Sequence, residues 1–222
     1  MRLPAPELPA DADAAVALQE RLRHRVAITP LPARIRTVAG LDSAYTESGA
    51  VAAAVVVLDA ATLTPVATAV AHGHTDFPYL PGLLAFRELP TALRAMEQLP
   101  TPPDVLVCDA HGLAHPRRFG LACHLGVLTG LPTVGVAKNA WGEHAEPGPE
   151  RGASADVTVD GEVVGRALRT RDGVKPVFVS VGHRADPDSA CALVLALTPH
   201  YRLPETTRAA DRLCRDALRD GP

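Results

Sequence analysis

A strand is expected at 51–59, where the longest uninterrupted apolar and β-branched run in the first half of the chain ends at Asp59. A run with no polar position reads as a strand covered on both faces. Strands are also expected at 36–42 and 64–72. The short separators ESGA and DAATLT favour antiparallel hairpins over crossovers here. Upstream, Asp11 or Asp13 can cap a helix running to about Arg25, and ITPLPARI then forms an extended connection. Downstream of a loop at 73–82, a helical pattern continues to Leu99, in which Pro90 either opens the helix proper or kinks it. A strand at 104–109, a helix at 119–130 and a strand at 133–137 form a β-α-β unit whose crossover should be right-handed. Further strands are expected at 155–159, 162–169 and 176–180, and helices at 186–197 and 206–219. The class is α/β, with a central mixed sheet flanked by helices.

Composition narrows this picture. A chain of 222 residues with 47% hydrophobic residues can bury one sizeable core, so residues 1–222 are expected to form one domain. The formal net charge of −3 excludes a protein that coats nucleic acid through bulk basicity. Any nucleic-acid contact must use a local patch, and Arg117, Arg118, Arg166, Arg169, Arg171, Lys175 and Arg184 could line a groove or simply be a solvated surface. Cys108, Cys123, Cys191 and Cys214 show no C-x-x-C pairing and read as buried free thiols of a reducing compartment. The amino-terminal stretch lacks a basic segment followed by an apolar core, and no apolar stretch of about 18 residues occurs later. A soluble, cytoplasmic monomer without membrane contact is the expectation.

The candidate chemistry lies where apolar runs end or helices open. VAGLDSAY carries Asp42, PYLPGLLAFRE carries Glu88, VLVCDAHGLAHPR carries Asp109, and ETTRAADRL carries Asp211. A carboxylate at the end of a buried strand needs water or a cation to offset the cost of burying charge. Each aspartate alone could merely begin a turn. Together the four acidic residues suggest a metal site for phosphate chemistry. Lys138 ends VGVAK and is one of only two lysines in an arginine-biased chain.

The strings PYLPGLLAFRE (78–88), CDAHGLAHPRRFGLACHLG (108–126) and LPTVGVAKN (131–139) resemble the endonuclease V family of deoxyinosine 3′ endonucleases, also called deoxyribonuclease V. The resemblance runs from about Val38 to Leu213, with the motifs in family order. It implies a ribonuclease H-like fold, which the predicted element order also matches, and would bring Asp42 beside Asp109. It further implies a Mg²⁺ cofactor, with Mn²⁺ as a substitute, held by Asp42, Glu88, Asp109 and Asp211. Asp42 would be the central ligand, and Lys138 would sit near the scissile phosphate. Asp211 could instead be a solvated helix residue paired with Arg208 or Arg215, and Lys138 a solvated strand end.

The resemblance assigns substrate contacts to Pro78, Tyr79, Pro81, Gly82, Leu84, His115 and Leu121. Pro78 and Pro81 stiffen the PYLPG loop, and Tyr79 would act as the wedge that fills the space of a displaced base. Gly82, Leu84 and Leu121 would line a pocket reading hypoxanthine, which has O6 and N7 acceptors and an N1–H donor but no exocyclic amine. His115 would contact phosphate or a metal-bound water, or else be a structural hydrogen-bonding residue. His111, His124 and Cys123 lack zinc-ligand spacing. The chain departs from the family pattern at Ala110, at Thr206 and over Asn139–Trp141. The implied partner is inosine-containing DNA, with inosine RNA or single-stranded DNA as alternatives. A noncatalytic binder of damaged DNA would have no use for an acidic cluster facing phosphates.

Overall fold

The computed structural model describes residues 2–221. A nine-stranded sheet carries the chain. Its first three strands, β1 (Thr37–Tyr45), β2 (Ala50–Asp59) and β3 (Pro65–His74), form the expected antiparallel meander. β4 (Val105–Cys108) and β5 (Thr133–Ala137) then run parallel to β1, joined by helix α3 (Leu121–Thr129). Beyond β5 the sheet turns antiparallel through β6 (Glu143–His144), β7 (Ser154–Val159), β8 (Glu162–Leu168) and β9 (Val177–His183), and the spatial order is β3-β2-β1-β4-β5-β9-β8-β7-β6. Strand order 3-2-1-4-5 with β1, β4 and β5 parallel is the ribonuclease H-like arrangement. Two-residue β6 has too little sequence to show a period and was not among the expected strands.

Four helices cover the sheet and a fifth lies at its rim. Helix α2 (Ala85–Glu97) and α3 pack on Ala39, Leu41, Ala53, Val55 and Val57. On the opposite face α4 (Pro187–Ala196) covers Val105, Val107, Val179 and Val181, and α5 (Glu205–Asp220) covers Val56 and Leu58. β2 is thus roofed by α2 and floored by α5, which is why its run admits no polar residue. Helix α1 (Ala12–Leu22) starts where the Asp11 carboxylate accepts from the Ala14 N–H at 2.8 Å. It packs Ala15 and Leu18 on Leu83 and Phe86. Pro90 lies inside α2 and does not open it. Among the described residues, no helix is long and apolar enough to cross a membrane.

Two local features place the chemistry. A Cβ added at Gly40 would lie 2.1 Å from the carbonyl oxygen of Thr206, so only glycine lets α5 press this close to β1. That contact brings Asp211 over the sheet. β1 also continues three residues past the expected end: Asp42 pairs with Ala54 on the β2 side, while the ladder to β4 stops at Leu41 and Cys108. Asp42 is therefore interior to its strand yet at the end of the parallel ladder, where the polar face can open.

Candidate active site

Asp109 is the first residue after β4, and its N–H donates to the Leu41 carbonyl at 3.3 Å, which sets it beside Asp42. Asp42, Asp109, Lys138 and Asp211 line one open cavity of about 590 Å³ together with Tyr45, Arg215 and Arg219. Glu88, in the first turn of α2, reaches the same region from the opposite face of the sheet. Only 6% exposed, it accepts a 2.5 Å hydrogen bond from the Tyr45 hydroxyl.

The carboxylates repel one another in a partly dry setting. Burial, then the charges of Asp109 and Glu88, push the Asp42 carboxyl up to about 8, against the pull of the Ser43 N–H. Burial likewise raises Glu88 to about 7, opposed by its hydrogen bond from Tyr45. Keeping Asp42 ionised costs on the order of 5 kcal/mol relative to a solvated aspartate. Burial alone would lower the Lys138 ammonium, but its 2.5 Å hydrogen bond to Asp109 and the charges of Asp109, Asp42 and Asp211 raise it instead.

Such a site fits a hard divalent cation, because its donors are all oxygen and carry excess negative charge. Among the described residues, no three His, Cys, Asp or Glu side chains are already gathered around one point. Three of the carboxylates have partners here: Asp109 pairs with Lys138, Asp211 with Arg215 at 2.8 Å, and Glu88 accepts from Tyr45. Asp211 thus realises the helical pairing foreseen with Arg215 while facing the cavity.

A second cavity of about 290 Å³ adjoins the first. Tyr79, Pro81, Gly82, Leu84, His115 and Leu121 line it, together with Ala110, His111 and Trp141. Two segments form the partition. Asp109 faces the acidic cavity while Ala110 and His111 face the second, and Lys138 and Asn139–Trp141 divide in the same way. Tyr79 is 70% exposed at the mouth, and Pro78 is exposed beside it.

Gly82 anchors this pocket. At φ +82° it adopts a backbone that other residues resist, and its carbonyl accepts from Gln19 Nε2, His115 Nε2 and Arg117 Nη2, each at 2.9 Å. His115 Nδ1 accepts from the Arg117 N–H at 3.2 Å, so both ring nitrogens are engaged and neither is left for a phosphate. Burial lowers His115 and His111 to about 4, making both rings neutral.

Pattern reading missed several supports. Gln19 is fully buried, bonds Gly82 and Phe119 through Nε2, and accepts from Arg117 Nε at 2.6 Å. Its signal was present: in α1 it shares the apolar stripe of Ala15, Leu18 and Leu22, where a polar residue is out of place. Arg202 donates to the carbonyls of Lys138, Lys175 and Pro176, fixing the end of β5, and no periodicity marks it. Of the seven basic residues for which a groove or a solvated surface was left open, four are tied to local partners. Arg117 serves Gly82, Arg118 pairs with Asp160 and Glu162, Arg166 with Asp156, and buried Arg169 binds Glu146 and three carbonyls. The cations at the acidic cavity are Lys138, Arg215 and Arg219.

A profile of the family described as Endonuclease V matches residues 20–212. The chain belongs to the endonuclease V family. It is 67% identical to the endonuclease V of Nocardia farcinica, over 99% of this chain and 98% of that protein. The crystal structure of endonuclease V from Streptomyces avermitilis superposes with a TM-score of 0.93 at 57% identity, over 99% of both chains. Endonuclease V from Ciona intestinalis, solved with a 24-mer DNA containing an inosine followed by a ribo-adenosine, superposes with a TM-score of 0.80. It is 28% identical over 92% of this chain and 96% of that one. The acidic cavity and the neutral pocket share one wall, and the described residues show no disulfide: Cys108, Cys123 and Cys214 are buried free thiols and Cys191 is half-buried.

Proposed function

We propose that this nuclease recognises deoxyinosine, the product of adenine deamination, in DNA and hydrolyses the second phosphodiester bond on its 3′ side, leaving 3′-hydroxyl and 5′-phosphate ends. The observation that carries this reading is the pair of adjoining cavities with one wall. A base held in the neutral pocket leaves the acidic cavity to a backbone phosphate outside the displaced nucleotide, because Asp109 lines one cavity and Ala110 and His111 the other. A cut displaced from the lesion follows.

Asp42, Asp109, Glu88 and Asp211 would hold Mg²⁺, for which Mn²⁺ can substitute. The bound cation supplies an activated water and neutralises charge on the phosphoryl oxygens. Lys138, released from Asp109, donates to the oxygen that gains charge as the bond breaks. Arg202 holds the Lys138 backbone so that this ammonium stays in reach. Tyr79, on a loop stiffened by Pro78 and Pro81, occupies the gap left by the displaced base. Leu84 and Leu121 contribute the apolar walls of the pocket, and His115 acts as a positioning residue by holding Gly82.

A second reading, inosine in RNA, draws on the ribo-adenosine that follows inosine in the DNA bound by the Ciona protein. Both readings are tested with end-labelled DNA and RNA oligonucleotides, each with and without one inosine, in Mg²⁺ and in EDTA. Metal-dependent nicking one nucleotide beyond the inosine is the expected result, and the faster substrate ranks the two. Binding without cleavage in any metal would overturn the catalytic reading.

A further inference from the structure

β1 outruns its apolar sequence, and the last residue of the extension meets a carboxylate. Ser43, Ala44 and Tyr45 keep pairing with Ala53, Ala52 and Val51 after the hydrophobic run has ended at Leu41. Side chains alternate along a strand, so Leu41, Ser43 and Tyr45 share the face covered by α2, whereas Gly40 and Asp42 share the face on which α5 is pressed. The extension thus carries a phenol to Glu88 on one face of β1 while Asp42 stands on the other.

Tyr45 is held at both its ring and its hydroxyl. Its Oη donates to Glu88 Oε1 at 2.5 Å, the length expected where a hydroxyl meets an ionised carboxylate. The Arg87 guanidinium lies 5.1 Å from the centre of the Tyr45 ring, and Arg87 is itself fixed by donating to the Phe77 carbonyl. Arg87 and Glu88 are neighbours at the start of α2, so one helical turn grips the whole phenol. Asp42, Asp109 and Asp211 line the acidic cavity, and Tyr45 lines it too, but Glu88 does not. A glutamate has several free torsions and could present either oxygen to a cation or turn away. Tyr45 removes that choice by engaging Oε1, which leaves Oε2.

We propose that Tyr45 is a positioning residue of the metal site: its hydroxyl stays on Glu88 Oε1 when the cation binds and directs Oε2 toward that cation. This rests on the metal reading above. Tyr45 differs in kind from Lys138 and Arg215, which pair with Asp109 and Asp211 through charge. A divalent cation repels an ammonium or a guanidinium at close range, but a neutral phenol carries no net charge to be expelled. Its hydrogen bond and the cation can therefore share one carboxylate, each on its own oxygen. A hydrogen bond that orients a ligating group contributes about ten- to a hundredfold in metal affinity.

The test titrates Mn²⁺ alone into the full chain, without DNA, by calorimetry, for the wild type, Tyr45→Phe, Glu88→Gln and the double variant. Tyr45→Phe should raise the Mn²⁺ dissociation constant by about tenfold. In the Glu88→Gln background the same change should weaken binding no further, because the phenol acts only through that carboxylate. Equal weakening in both backgrounds would reduce Tyr45 to a structural support and overturn the assignment. Binding by Tyr45→Phe as tight as that of the wild type, or tighter, would overturn it as well. A second readout uses the wild type itself. Of the three tyrosines, Tyr79 and Tyr201 are exposed, so Mg²⁺ should perturb the near-ultraviolet absorption of Tyr45, and Tyr45→Phe should lose that signal. Mg²⁺ binding with no change in tyrosine absorption would again overturn the assignment and leave the metal reading standing. If the wild type binds neither cation, the metal reading fails and this assignment falls with it.

Discussion

The acidic cavity and the neutral pocket share a wall but are held by opposite physics. In the first, Asp42, Glu88 and Asp109 are packed against their mutual repulsion, and burial raises Asp42 to about 8. In the second, Gln19, His115 and Arg117 all donate to one carbonyl of Gly82, and every side chain among them is satisfied by a neighbour. One region stores electrostatic strain that a cation relieves, while the other is held around Gly82 by neutral and cationic donors that already have their acceptor. Removing a group should therefore have opposite effects on stability in the two places.

The largest effect expected is on catalysis. Asp42→Ala or Asp109→Ala should lower single-turnover cleavage of inosine DNA by at least about a thousandfold while binding persists. Full activity in either variant would remove these residues from the metal site. Next, in metal-free protein at pH 8, Asp42→Asn should raise the unfolding free energy by about 1 to 3 kcal/mol, because it removes a buried charge that has no cation. A lower urea midpoint for that variant would contradict the picture of stored repulsion.

The pocket should respond the other way. Gln19→Ala leaves Arg117 and the Phe119 carbonyl short of a partner and should cost about 2 kcal/mol in urea unfolding, with weaker inosine binding. A neutral result would mean that Gly82 is held well enough by His115 and Arg117. The smallest effect concerns His124, which burial lowers to about 4 and which contacts Phe86 and Phe119 edge-on or tilted. Between its unfolded value near 6.5 and about 4, the unfolded chain binds the extra proton, so stability rises with pH and is lost on acidification. By pH 5 this loss amounts to about 1 to 2 kcal/mol, and His124→Leu should flatten that limb of the pH curve. An unchanged slope between pH 6.5 and 4 would assign the acid sensitivity to other groups.

Much of this was readable before any coordinates. Asp42, Glu88, Asp109 and Lys138 are marked because each interrupts or ends a hydrophobic segment whose period is clear, and the three-strand meander follows from short separators. Asp42 was still misplaced by three residues at its strand end, since Ser43, Ala44 and Tyr45 continue pairing with β2 after the apolar run stops. The antiparallel placement of β9 beside β5 is a long-range choice that no local pattern encodes. Arg202, and the support that Arg117 gives to Gly82, escaped for a related reason. Their partners are backbone carbonyls brought in from distant segments, so the bonds exist only after the fold does. For Arg166 and Arg169 the sequence left a shared groove and a solvated surface open, and in the fold each is instead tied to a carboxylate of a neighbouring segment, Asp156 and Glu146.

The press of α5 on Gly40 has a bearing on synthesis. A nascent chain that has not yet delivered Glu205–Asp220 lacks Asp211 and leaves Val56 and Leu58 uncovered on β2. Chains emerge at about 5 to 20 residues per second, so for a second or so the ribosome presents Asp42, Glu88 and Asp109 on a sheet whose β2 is uncovered on the α5 side, although α4 already covers Val105 and Val179 on that face. A chain that stops before residue 205 therefore exposes Val56 and Leu58 and lacks Asp211, so it is at once prone to association and missing one carboxylate of the acidic cavity.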